Sequence, residues 1–239
     1  HRDLPSFPTR RSSDLSLVYG VSVIRYNVSS TETKGGRVFG CNNLNGTPKT
    51  STLVDIKGGV VDYSVFGGGN LANATIDTHV IVEGGTVNDV YGGGAYASTG
   101  ATIVDILDGI VEGNVYGGCL GGEKNETTYV PAVNGDATVN IGSGTVATSG
   151  EYEGFTTTPN NGNATFIGGS IYGGNDAKGS PTGIATVNIY KTAHTDGTGN
   201  NTATGDYYAI MGVYGGCNEA DCIGKESHVD VYGRDITND

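Results

Sequence analysis

The chain has no tryptophan, one methionine and only six prolines in 239 residues. Proline-rich linkers and a collagen repeat are both excluded, because 42 glycines are present without the strict Gly-X-Y period or the proline content that collagen needs. Basic side chains are scarce as well. Lys and Arg number 13 against 25 Asp and Glu, a net charge of −12. That balance argues against a nucleic-acid partner, which requires clustered Lys and Arg facing phosphates, and acidity of this size serves solubility. No apolar run approaches the roughly 18 to 20 residues that span a bilayer, and no charged segment leads into an apolar stretch and a small-residue cleavage site. Neither a membrane span nor a signal peptide is visible. The four cysteines, Cys41, Cys119, Cys217 and Cys222, include no Cys-x-x-Cys pair, so neither a zinc site nor a thioredoxin-like motif is supported. Cys217 and Cys222 are close in sequence, and spacing leaves open whether they bridge.

What is abundant is Val and Ile among the apolar residues and Thr and Asn among the polar ones, a mixture suited to pleated strands joined by tight turns. All-β structure is expected. Residues 1–15, HRDLPSFPTRRSSDL, differ in style from the rest, with Pro5, Pro8, Arg2, Arg10 and Arg11 in one short piece. The string SFPTRRSSDL resembles the conceptual translation of a short-read sequencing adapter, which implies a non-native segment. Without it the chain keeps 10 basic and 23 acidic residues, a net of −13.

Two motifs recur along what remains. The first is an apolar residue, an aromatic and glycine: Val38-Phe39-Gly40, Val65-Phe66-Gly67, Val90-Tyr91-Gly92, Val115-Tyr116-Gly117, Ile171-Tyr172-Gly173 and Val213-Tyr214-Gly215. Its shortest spacings are 25 residues and define the unit. The second motif begins at Thr52, Thr78, Thr102, Ala137, Ala185 and Ser227. Its third residue is always Val (Val54, Val80, Val104, Val139, Val187, Val229) and its fifth always Ile or Val, with mostly polar residues between. A period of two reads as a strand with one buried face.

A unit of this size is too small for a propeller blade of roughly 40 to 45 residues, and it lacks leucine-rich-repeat spacing. One coil of a parallel β-helix fits. Stacking such coils places each Val or Ile over its counterpart about 4.8 Å away and merges them into a single apolar core. The Val of each marker is expected to face that core, the aromatic to point outward onto its neighbours above and below, and the glycines to turn the corner, often with positive φ. Three stretches break the rhythm, residues 119–136, 147–170 and 191–212, and read as corner insertions of the kind that collect on a binding face. The organisation expected is residues 1–15 non-native, 16–37 a partial opening coil, and 38–239 the repeat domain. The final Ile236-Thr237-Asn238-Asp239 parallels Val87-Asn88-Asp89 ahead of a marker, so another coil is expected beyond it, and the repeat domain reads as truncated at both ends, a fragment of a longer parent chain.

This repeat texture resembles the glycine-rich regions of secreted, adhesin-like bacterial β-helix proteins. The resemblance implies a right-handed parallel β-helix, an extracellular or cell-surface location, and a non-catalytic structural or adhesin-like role toward glycans or host surfaces. The opposing expectation is a β-helix polysaccharide lyase or glycoside hydrolase. Such enzymes gather carboxylates on adjacent coils, whereas the fourth strand position reads Asp55, Ile81, Asp105, Asn140, Asn188, Asp230, which does not assemble the required pair. His79 and His228 share the second position several coils apart and form no metal-ligand set. The nine-residue Ca²⁺ β-roll repeat is absent, so no cofactor is expected beyond weak Ca²⁺ at loop carboxylates such as Asp176 or Asp206. The remaining candidate is the aromatic column, Phe39, Phe66, Tyr91, Tyr116, Tyr172 and Tyr214, expected either to fix coil register or to stack against sugars.

Overall fold

A computed structural model describes residues 23–24, 36–142, 166–190, 194–195, 207–208 and 210–232. Residues 1–15, the last residues 233–239, Asp206 and most of the second and third insertions lie outside the described residues. No helix occurs among those described, and hence none long and apolar enough to cross a membrane. Thirteen strands join one sheet whose pairings are parallel, giving a nearly closed, solenoid-like wall.

The repeats that begin at Thr52, Thr78, Thr102 and Ala137 each run through three strand positions, and equivalent segments of successive repeats stack into three faces. The first face contains Thr52–Ile56, the start of Thr78–Tyr91, the start of Thr102–Val111, Ala137–Ile141, Ile184–Ile189 and Glu226–Val231. Its register is the one the second motif demands: Val54 pairs with Val80, Val80 with Val104, Val104 with Val139, Val139 with Val187 and Val187 with Val229. The second face aligns Val61, Val87, Val111 and Ile167. The third aligns Val38, Val65, Val90, Val115, Ile171 and Val213. The inward side chains of the three faces form one core in which Val65, Val80, Val87, Val90, Val104, Ile106, Val111 and Val115 are wholly buried. Apolar residues alternate with polar ones because only every second side chain on a strand can reach this interior.

The glycines divide into two kinds. Gly59, Gly85, Gly109 and Gly142 follow the first face and have positive φ, between 82° and 90°, so the turn itself requires glycine. The marker glycines Gly40, Gly67, Gly92, Gly117 and Gly173 do not have positive φ. A Cβ on any of them would collide with the carbonyl oxygen of the equivalent glycine one repeat further on. Close approach of backbones, rather than the left-handed conformation expected from the sequence, therefore explains the marker glycine. Buried threonines complete these corners. Thr52, Thr78 and Thr102 donate their hydroxyls to the carbonyls of Gly67 (2.8 Å), Gly92 (2.5 Å) and Gly117 (2.6 Å), which keeps buried acceptors paired.

Asn and Asp at corners do a related job between repeats. Asp77 Oδ1 accepts from the Ala101 amide (2.9 Å), Asp89 Oδ1 from the Asn114 amide (2.8 Å), Asn114 Oδ1 from the Ser170 amide (2.8 Å) and Asp136 Oδ1 from the Ile184 amide (2.8 Å). Side chains thus carry the interrepeat hydrogen bonding where the backbone turns and the strand ladder stops.

Candidate functional site

The aromatic candidates come together. Because the third-face strands pair in register, Phe39, Phe66, Tyr91, Tyr116, Tyr172 and Tyr214 lie one above another. Adjacent ring centroids are 4.9, 4.7, 4.6, 5.1 and 4.9 Å apart, with planes within 12° of parallel. Each ring follows an inward Val or Ile and so projects to the opposite side of its strand, away from the central core. It does not thereby reach water. Phe66, Tyr91 and Tyr116 are buried with Ala95 in a second apolar cluster that also contacts Tyr96 and Leu120 from the glycine-rich corners. Phe39 and Tyr172 are half-buried, and Tyr214 is 52% exposed. Exposure of the rings is thus graded along the ladder, with Tyr214 the most exposed.

The phenol hydroxyls meet an acidic rim. Tyr91 donates to Asp176 Oδ2 (3.0 Å), whose other oxygen accepts from the Asn218 amide nitrogen Nδ2 (2.9 Å). Asn114 Nδ2 donates to Tyr116 Oη (3.1 Å), and Asn88 Nδ2 donates to Asp89 Oδ2 (3.1 Å). Burial, reinforced by the charges of Asp176 and Asp89, pushes both phenols far above the ordinary tyrosine range, so they remain neutral donors. Asp89 is also raised, chiefly by burial and further by the charge of Asp176, against the lowering effect of the Asn114 amide. The arrangement supplies two carboxylates, two phenols and three carboxamides at one corner. Spacing along the strands did not reveal it, since Asp176 lies in a loop 85 residues from its partner Tyr91.

The fourth-position column of the first face keeps its sequence order, with Ile81 between Asp55 and Asp105 and Asn140 and Asn188 beyond. It is nevertheless a connected polar strip. His79 Nε2 lies 2.6 Å from Asp105 Oδ2, Asn140 donates to Asp105 Oδ1 (2.7 Å), and Asn188 donates to Asn140 (2.9 Å). Sequence reasoning compared His79 only with His228 and missed the diagonal step from second position to fourth position one repeat on. Such a step keeps both side chains on one face of the sheet. Lys57 bridges Asp55 (2.7 Å) and Glu83 (3.1 Å) beside this strip. Among the described residues no group of three or more His, Cys, Asp or Glu side chains is arranged to hold a metal. Asp176, expected as a Ca²⁺ ligand, has both oxygens engaged by Tyr91 and Asn218.

Compared with protein-family models, curated proteins and solved structures, the chain matches none.

Proposed function

We propose that the chain is part of a right-handed parallel β-helix from a secreted or cell-surface bacterial protein, and that it acts there as a non-catalytic rigid stalk or adhesin-like module. The observation that carries this reading is the aromatic ladder running beside the aliphatic core over the same repeats. Two parallel columns of packed side chains, tied by corner hydrogen bonds, resist bending and slippage between repeats. That is the property a spacer or display rod requires. Right-handedness follows the general rule for parallel crossover connections. Glycans or other host-surface ligands are the partners proposed for the polar insertions and for the exposed ring of Tyr214.

A glycan array probed with the native chain and with Tyr214→Ala tests the binding role. The expected result is at least about a tenfold loss of the native glycan signal in the variant with little change in melting temperature, since an exposed surface position contributes little to stability. Retained binding would remove the ladder from the glycan site.

A second reading has its own support. Asp89 and Asp176 flank the hydroxyls of Tyr91 and Tyr116, and burial, with the charge of Asp176, makes Asp89 hold its proton more tightly than an ordinary aspartate. Two carboxylates at one corner, one of them holding its proton beyond the ordinary aspartate range, suit general acid and base roles in a polysaccharide lyase or glycoside hydrolase. Product release from a panel of polyuronides and host glycans, abolished by Asp89→Asn or Asp176→Asn, would replace the non-catalytic reading.

A further inference from the structure

The marker corner after Tyr214 carries Cys217, and five residues later the chain returns with Cys222. Both sulfurs flank Gly174 of the preceding repeat. A Cβ on Gly174 would lie 2.5 Å from Cys217 Sγ and 3.1 Å from Cys222 Sγ, so the missing side chain of Gly174 makes the space in which the two thiols meet. The Asn175 amide donates to Cys217 Sγ (3.3 Å). Ser180 Oγ, which accepts from the Ile223 amide (3.0 Å), lies 3.9 Å from Cys222 Sγ. Cys222 is exposed and Cys217 half-buried, so reagents have a route to the pair.

The intervening residues are docked rather than loose. Asn218 N donates to the Asn175 carbonyl (3.0 Å), while Glu219 N and Ala220 N both donate to the Asp176 carbonyl (2.8 and 3.0 Å). Asn218 Nδ2 also holds the carboxylate that accepts from Tyr91. On its other side the loop forms one wall of a groove of about 620 Å³, facing Val130, Pro131 and Pro181, with Ile223 at its edge. We propose that Cys217 and Cys222 form a reversible disulfide that latches this loop onto the Asp176 corner and fixes the wall of the groove.

The oxidant is a low-molecular-weight disulfide. The Cys222 thiolate attacks one of its sulfurs, forming a mixed disulfide on Cys222 and releasing one small thiolate. Cys217 then attacks the Cys222 sulfur and expels the second small thiolate. The two protons given up by the cysteines end on the two small thiols, so two protein thiols are oxidised and one external disulfide is reduced. Cys222 leads because the hydrogen bond from Cys217 stabilises its thiolate and lowers its pKa to about 6, while the same interaction and burial raise Cys217. Cys119 takes no part: it is wholly buried, and burial pushes its thiol up to about 12.

The test uses the full chain carrying Cys41→Ser, equilibrated in a glutathione redox buffer, folded and in urea. Mass spectrometry after cleavage at Glu219 reads whether the two halves of the loop stay joined through sulfur. The expected result is a Cys217–Cys222 link, with an effective concentration of the pair at least about tenfold higher folded than unfolded. Gly174→Ala, which pushes the sulfurs from their shared space, is expected to erase most of that advantage, while Gly58→Ala, whose added methyl meets nothing within 4 Å, should leave it intact. An effective concentration no higher in the folded chain, a glutathione adduct persisting on Cys222, or an unchanged advantage in Gly174→Ala would each overturn the proposal.

Discussion

The ring of Tyr91 lies 4.6 Å from the ring of Tyr116 with the two planes 6° apart, and both are buried. Tyr91→Ala removes a packed ring and its stacking contacts with Phe66 and Tyr116, and a loss of about 3–5 kcal/mol in unfolding free energy is expected by urea titration. Tyr91→Phe keeps the stack and leaves Asp176 without one donor, so a smaller loss of about 1–3 kcal/mol is expected. At the exposed position, Tyr214→Ala should cost less than about 1 kcal/mol.

The marker glycines make a sharper distinction. Gly92→Ala would set a methyl against the Gly117 carbonyl oxygen, and a destabilisation of about 1–3 kcal/mol is expected. Gly58→Ala meets no neighbour and has no positive φ, so it should be neutral or stabilising by up to about 1 kcal/mol through the unfolded state. Thermal denaturation of the pair checks both signs.

Thr102 provides a test of corner hydrogen bonding. Thr102→Val preserves shape but leaves the Gly117 carbonyl without its 2.6 Å donor, and about 1–3 kcal/mol should be lost. The equivalent first position is Ala at 137 and 185. Ala137→Thr is therefore expected to be tolerated, a result that chemical denaturation of the single variant would show.

Asp89 sets a pH dependence. Its folded pKa is raised, mainly by burial, so the protonated form is the one the fold favours. The associated stability is present below the unfolded carboxylate pKa and lost as pH rises through the higher folded value. Asp89→Asn, which stays neutral and can still accept from the Asn114 amide, should be more stable than the parent at pH 7, with the advantage gone by about pH 3. Urea midpoints across that range give the comparison.

Much of the fold was legible because its grammar is local. A period of two within each strand identified Val54, Val80 and Val104 as inward, and the repeat length aligned them. The same arithmetic aligned the six aromatics. What repeat arithmetic could not supply was anything contributed by a side chain reaching across repeats at a slant or from a loop. His79 meets Asp105 diagonally, and Asp176 reaches Tyr91 from a corner insertion. The role of the marker glycines was misassigned for a related reason. A glycine needed for positive φ and one needed for contact with the backbone above it look alike in sequence, and Gly85 and Gly92 separate only in three dimensions. The expectation that the aromatics face outward was correct relative to the main core, but the glycine-rich corners fold over the middle of the ladder and bury it.

Vertical registry of the aliphatic column is the claim on which the rest depends, and a methyl–methyl NOE experiment on selectively labelled valines tests it directly. Repeats stacked about 4.8 Å apart place Val80 between Val54 and Val104. Strong cross-peaks are expected from Val80 to both, with none of comparable strength between Val54 and Val104. Absence of the Val54–Val80 and Val80–Val104 peaks in the folded protein would contradict the account.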